Sequence, residues 1–353
     1  MFKHYFRRIG LTDLLMFIVG GLIVVLVLVG SALTLASGKY SARQWSDLTI
    51  YGLALGSIYA LIALGYTLVY GILRMINFAH SEVFMSGPFT AYFLAHALER
   101  SGFLEHNLVV GLLAIFFLAM AVSTAVAILL ERIAYRPLRF APRLVPLITA
   151  IGASFFLQYF FRGLYGPNIK VYPEIQAFKA AIQIGDFKIT SIQIFVIVAA
   201  ALMMGGLYLF IQLTRTGKAM RAVSEDKQAA ALMGIDVDRI IMVTFALGGL
   251  LAGAAGVLYA LMFKQVYYIM GFIPSIKAFT AAVLGGIGNV PGAMLGGIFL
   301  GIAESVGPTL FLDGLGVPAP QGLKDAIAFT LLVLVLIFRP SGILGEKLTE
   351  TKA

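Results

Sequence analysis

Residues Gly52–Gly87 read GLALGSIYALIALGYTLVYGILRMINFAHSEVFMSG. The run from Gly52 to Gly71 carries no charge. About 20 apolar residues are what an α-helix needs to cross the hydrocarbon core of a bilayer. Arg74 then interrupts, and Asn77, His80 and Glu82 follow inside a renewed apolar stretch, ahead of Gly87-Pro88. A charge at the bilayer centre costs at least about 2.5–3.5 kcal/mol on insertion scales. Such a polar island has three readings: the lining of a translocation path, a hydrogen-bond cluster that orients helices, or a solvated site at the membrane surface.

The same pattern extends in both directions. Spans are expected near Leu14–Leu35, Leu48–Gly71, Met75–Leu98, Leu108–Leu130, Leu144–Gly163, Ser191–Leu213 and Ile240–Phe263. A Gly-broken pair follows at Ile276–Ile287 and Gly292–Val306, and a last span at Leu323–Phe338. The fold expected is an all-α polytopic integral membrane protein with about ten (8–10) transmembrane segments. The broken pair reads either as two short spans or as one re-entrant hairpin. Composition agrees: 60% of the 353 residues are hydrophobic and 12% charged, with a mean hydropathy of +0.95. A soluble fold could not cover that much apolar surface. An ordinary soluble enzyme, a disordered chain and a disulfide scaffold are excluded, and with no Cys there is no thiolate chemistry.

The net charge of +9 has to be located before it is interpreted. With a cytoplasmic N-terminus, most of the 26 Lys and Arg fall on the inner side. Among them are Lys3, Arg7, Arg8, Arg74, Arg132, Arg136, Arg139, Arg143, Arg215, Lys218, Arg221, Lys227, Arg239, Arg339, Lys347 and Lys352. The positive-inside rule then places both termini in the cytoplasm and removes nucleic acid as the reason for the charge. The basic start followed by Leu14–Val29 resembles a signal peptide, but the apolar run exceeds the 7–15 residues of a signal core, which favours a retained helix. The expected organisation is residues 1–47 (basic start, first helix, outer loop), 48–345 (membrane domain) and 346–353 (tail). Gly52-x-x-x-Gly56 and Tyr59-Ala60-Leu61 are echoed by Gly249-x-x-x-Gly253 and Tyr259-Ala260-Leu261. The echo suggests two five-helix halves, roughly 14–165 and 191–338, of inverted orientation. Chance recurrence of small residues is the alternative.

Gly285-Gly286-Ile287-Gly288-Asn289-Val290-Pro291-Gly292 cannot continue a helix. Gly286, Gly288 and Asn289 are therefore candidates for a broken backbone facing a substrate, or for a tight turn. No Lys-Ser or Lys-Thr follows the glycines, so no phosphate loop is present. Arg215–Arg239 is the longest inner loop. Ser224 reads as an N-cap, Glu225 and Asp226 suit a first turn, and Gly234 suits a left-handed stop. A short capped helix bearing Ala229–Ala231 would either dock on a soluble partner or serve as a connector. Glu304 is a further acid near a span end. No hydrolytic triad, zinc site or phosphoryl-transfer site is present, so no catalytic and no metal residue is assigned.

Several long motifs now point one way. Gly52–Gly87, ERIAYRPLR at Glu131–Arg139, PLITAIGASFFLQ at Pro146–Gln158, RAVSEDKQAAALMGI at Arg221–Ile235, KAFTAAVLGGIGNVPGAMLGGIFLGIAES at Lys277–Ser305 and RPSGILG at Arg339–Gly345 resemble the permease subunits of branched-chain amino acid ABC importers. The similarity runs from about Ile50 to Gly345, while the basic start and first helix depart from the family's short N-terminus. The resemblance implies a second permease, identical or different, two cytoplasmic ATPase subunits that hold the ATP and Mg, and an extracytoplasmic binding protein delivering leucine, isoleucine or valine across a bacterial inner membrane. It further implies that the loop carrying Arg221, Glu225, Asp226, Ala230 and Gly234 is the ATPase-coupling loop. Asn77, His80, Glu82, Gly286, Gly288 and Asn289 then become substrate-pathway candidates. Related permeases carry urea, short amides or sugars, so the substrate stays open. A proton-coupled carrier using His80, Glu82 or Glu304, or an uncoupled channel-like subunit, are the competing readings.

Overall fold

The computed structural model describes residues 11–139, 141–142, 144–184, 187–339 and 341–345, with backbone alone at 11–15, 184, 187 and 188. Lys3, Arg7, Arg8, Arg143 and the tail 346–353 lie outside the described residues, as does the side chain of Lys188.

The described chain is built of helices α1 (Leu11–Ser37), α2 (Ala42–Leu73), α3 (His80–Arg100), α4 (Phe103–His106), α5 (Leu108–Leu130), α6 (Leu144–Tyr165) and α7 (Ser191–Leu213). After them come α8 (Arg215–Glu225), α9 (Lys227–Leu232), α10 (Val237–Phe263), α11 (Phe272–Gly285), α12 (Val290–Gly307) and α13 (Lys324–Phe338). Eight helical segments are long and apolar enough to cross a membrane, and α11 is a shorter apolar helix. With α3, whose polar first turn lowers its hydropathy, they correspond to the ten expected segments. Two antiparallel ribbons cap one end: β1 (Lys170–Val171) with β4 (Gln265–Val266), and β2 (Ala181–Ile184) with β3 (Phe187–Thr190).

Helices α2 and α10 form the centre, and 72% of the span window of each is buried, against 11% for α1 and α13. The central pair runs antiparallel, and a Cβ at Gly248 would lie 3.6 Å from the Gly65 Cα. Close approach rests on small residues. Gly52 and Gly56 of α2 pack on Gly297, Gly301 and Ser305 of α12, and Gly249 and Gly253 of α10 pack on Ala119 and Ser123 of α5. A Cβ at Gly301 would lie 2.3 Å from the Cα of Gly56, so only glycine allows this helix separation.

Two local features recur along the chain. Helix α2 ends at Arg74 (φ 57, ψ 28) and α10 at Lys264 (φ 58, ψ 25), both left-handed. Each is followed by non-helical chain and a shorter helix, α3 or α11, that starts inside the bundle. Helices α5 and α12 are both continued by a π-turn, Glu131–Tyr135 and Pro308–Leu312. The register differs from the sequence echo. Gly52 precedes Arg74 by 22 residues, whereas Gly249 precedes Lys264 by 15. Counted from the helix ends, the Gly pairs therefore lie about two helical turns out of register, and Tyr59 precedes Arg74 by 15 residues where Tyr259 precedes Lys264 by 5.

Candidate functional site

Helix α2 stops at Arg74, whose N–H closes on Tyr70 O at 2.8 Å. The chain turns back into the bundle without helix, and α3 begins at His80. This places the polar island at the buried start of a helix rather than in solvent: Asn77, His80 and Glu82 are all buried. They face different neighbours: Asn77 precedes α3, and His80 and Glu82, two apart on it, are rotated about 200° from each other. Asn77 Oδ1 accepts from Tyr135 of the π-turn at 2.8 Å. The His80 ring packs edge-on to Tyr66 at 4.8 Å, and its Nε2 occupies the space that a Cβ at Gly65 would fill. Glu82 pairs with neither His80, Asn77 nor a backbone amide among the described residues. Glu82 Oε1 instead accepts from Ser81 (2.8 Å), Ser154 (3.0 Å) and Gln158 (2.8 Å). Ser154 and Gln158 lie one turn apart on α6, a polar pair within PLITAIGASFFLQ that sequence reading left unused. Glu82 Oε2 and His80 Nε2 have no partner among the described residues. Next to the Glu82 cluster, a cavity of about 90 Å³ opens between α3, α6 and α11, lined by Ser81, Ser154, Gln158, Ser275, Phe78 and Phe155 among others.

The Gly285–Gly292 run lies at the other reach of α11, as the turn joining it to α12. Gly286 (φ 105) and Gly288 (φ 98) take conformations that L side chains rarely adopt. Asn289 Oδ1 caps α12 through Gly292 N–H at 2.9 Å, while its Nδ2 donates to Leu344 O at 2.9 Å. Ile343 and Leu344 N–H donate to Leu284 and Gly285 carbonyls at 2.8 and 3.0 Å. The turn meets Gly71 near the end of α2, so it sits at the end of the bundle and not beside Glu82.

That same end carries the loop. Arg74 Nη2 donates to Ser224 O at 3.3 Å. The loop holds two helices where one was expected, and Asp226 rather than Ser224 is the N-cap. Asp226 Oδ1 accepts from Gln228 and Ala229 N–H at 2.7 and 3.0 Å, while Ser224 Oγ folds back on Arg221 O within α8. A carboxylate caps two amides from the extended conformation that Asp226 adopts, whereas Ser224 is already helical. Gly234 stops α9 at φ 83, as expected, and Ile235 N–H bonds Ala230 O at 3.1 Å. Arg221 holds Gln212 at 2.8 Å, and Glu225 is exposed. Ala230 is turned inward, 4% exposed, whereas Leu232 and Met233 are 89% and 83% exposed. The apolar face offered outward is therefore Leu232–Met233. Desolvation, with the Arg139 and Arg74 guanidiniums nearby, lowers the Lys227 pKa. Below the loop, Arg139 bridges Glu131 and Asp238, and Arg136 holds Asp238 at 2.6 Å, tying the end of α5 to the start of α10.

A further polar cluster was not anticipated. Glu304, expected near a span end, is buried on α12 with Lys277 of α11 at 2.6 Å and the Tyr59 hydroxyl at 3.0 Å. Asp325 of α13 also meets Lys277 at 2.6 Å. Among the described residues no group of three or more His, Cys, Asp or Glu is arranged to hold a metal ion.

A sequence profile described as the permease component of branched-chain amino acid transport systems matches residues 48–336, a stretch that begins after α1. The high-affinity branched-chain amino acid transport permease BraD of Pseudomonas aeruginosa is 44% identical over 304 residues, covering 85% of this chain and 96% of that protein. Its counterpart LivH of Escherichia coli is 42% identical over 304 residues, covering 85% and 95%. The autoinducer 2 import permease LsrC of Klebsiella pneumoniae is 34% identical over 154 residues, 40% of each chain. No solved structure matches. The chain belongs to the branched-chain amino acid transport permease family.

Proposed function

We propose that this family member is the transmembrane permease subunit of an ATP-driven importer, forming the path for leucine, isoleucine and valine. The match over residues 48–336 carries the reading. The chain is a transport subunit and not an enzyme: ATP and Mg belong to two partner ATPases. An extracytoplasmic binding protein delivers the amino acid, and a second permease, identical or different, completes the path. Residues 48–345 act as one permease domain, whose halves are related as α2, α3 and α5 are to α10, α11 and α12. Both termini face the cytoplasm of a bacterial inner membrane. Arg74, Arg132, Arg136, Arg139, Arg215, Lys218 and Arg221 gather at the loop end, which supports that orientation. The loop Arg221–Gly234 meets an ATPase through Leu232 and Met233. Asn77, His80 and Glu82 belong to the substrate path, each on a different side of the start of α3. Gly286, Gly288 and Asn289 form the turn at the cytoplasmic mouth.

The test is to isolate this chain with its associated subunits, identify what the binding protein holds, and measure uptake in proteoliposomes. ATP-dependent uptake of leucine, isoleucine and valine supports the reading. Uptake of urea or a short amide instead would move the substrate. Uptake without ATPases, driven by a proton gradient, would establish a secondary carrier.

A further inference from the structure

Among the described residues three acids are buried within the bundle, and two of them have a cation: Lys277 for Glu304 and Arg139 for Glu131. Glu82 has no cation among the described residues. Its three donors all converge on one oxygen. The consequence lies in what those donors then turn toward the cavity.

A hydroxyl owns a single hydrogen, and a carboxylate can only accept. Ser154 commits its hydrogen to Glu82, so it presents lone pairs to the cavity. Gln158 gives one of its two Nε2 hydrogens to Glu82, and its carbonyl Oε1 is directed away from the carboxylate. Ser81 Oγ lies 2.8 Å from Glu82 Oε1 and 2.9 Å from Phe78 O, so its one hydrogen is used inside the protein as well. Ser275 Oγ is buried with no partner among the described residues and can accept. Tyr66 also lines the cavity, with a hydroxyl that can donate or accept, and the rest of the lining is apolar, including Phe78 and Phe155. The cavity is large enough for several water-sized groups, at roughly 10–15 Å³ each.

We propose that the cavity between α3, α6 and α11 is a recognition site for the ammonium group of an amino acid, and that Glu82 is the positioning residue that sets its polarity. An ammonium has three donors and no acceptor, which complements the acceptors of Ser154, Gln158 and Ser275 backed by a carboxylate. A carboxylate ligand would meet lone pairs and like charge. The aromatic lining suits the hydrocarbon attached to the ammonium carbon. This proposal takes from the proposed function only that the solute is an amino acid.

The test uses the assembled transporter in membranes with Phe155→Cys on this chain, which has no native Cys. Labelling by a small methanethiosulfonate is timed with isopentylammonium or isovalerate present. Each is a branched-chain amino acid reduced to one charged end. Isopentylammonium should slow labelling and isovalerate should not. Adding Glu82→Gln should weaken the amine's protection by about tenfold, the scale of one hydrogen bond to a charged group, while Glu82→Asp retains part of it. If Glu82→Gln does not assemble, Ser154→Ala and Gln158→Leu should each weaken the same protection. Equal protection by both ions, or amine protection that survives these substitutions, overturns the proposal. Leucine uptake by the same vesicles separates the two readings. Uptake without amine selectivity removes this site and leaves the function. Amine selectivity without leucine uptake does the reverse.

Discussion

Lys277 Nζ lies 2.6 Å from Glu304 Oε1, and both side chains are all but inaccessible within the helix bundle. The pair joins α11 to α12, Tyr59 brings in α2, and Asp325 brings in α13. Removing one member of a buried pair leaves a charge without compensation, at a cost of roughly 3–5 kcal/mol. Lys277→Met should therefore lower the thermal stability of the detergent-purified protein sharply. Lys277→Met with Glu304→Gln should recover part of the loss. Equal instability in the single and double variants would show that the pair does not hold α11 to α12.

The loop prediction turns on which residues face outward. Leu232→Asp and Met233→Asp should detach the ATPase or abolish transport-stimulated ATP hydrolysis while the chain still inserts. Ala230→Arg should disorder the loop itself, because Ala230 is buried. Gly234→Val places a β-branched residue at φ 83, a strain of roughly 1–2 kcal/mol, and should weaken coupling to a lesser degree. A Cys at position 233 should crosslink to the ATPase. Free labelling of that Cys in the intact complex, with normal transport by both Asp variants, would make the loop a connector.

Helix separation gives a third expectation. Gly301→Leu must push α12 off α2, since even a Cβ there would sit 2.3 Å from Gly56 Cα. Overpacking of this kind costs typically about 1–3 kcal/mol, and here backbone must move. The yield of folded protein on gel filtration should fall well below that of Gly152→Ala, which meets no atom within 4 Å. Comparable yields would mean that the α2–α12 contact is not limiting.

At the opposite end, hydrogen bonds from Lys264 and then Lys179 hold the exposed Glu174 carboxyl down to about 2, against an ordinary value of 4.5. The folded value lies below the unfolded one. The tether is therefore present above about pH 4.5 and is lost as pH falls through about 2. Amide exchange at Tyr172, whose N–H donates to Lys264 O at 2.9 Å, should lose protection across that window beyond the intrinsic pH dependence. Glu174→Gln should flatten the response. An identical profile in wild type and variant would place the protection elsewhere.

Hydropathy and punctuation fixed much of the architecture. A segment of about 20 apolar residues has one stable solution in lipid, because every backbone amide must be satisfied within the helix. The ten segments and the left-handed stop at Gly234 were therefore readable from composition and local chemistry. So was the tight turn at Gly286–Asn289 as one of two alternatives, since helix cannot continue through that run. Local chemistry did not decide the cap of α9: Ser224 and Asp226 both qualify, and the end of α8 at Glu225 selected Asp226. Side-chain partners were beyond the sequence for a stronger reason. Glu82 finds Ser154 and Gln158 72 and 76 residues away, and Tyr59 finds Glu304 at a separation of 245. Lipid imposes the helix on each segment but does not rank its neighbours. That ranking comes from close packing of small residues, Gly56 on Gly301 and Gly65 on His80, and it appears only once the helices are assembled.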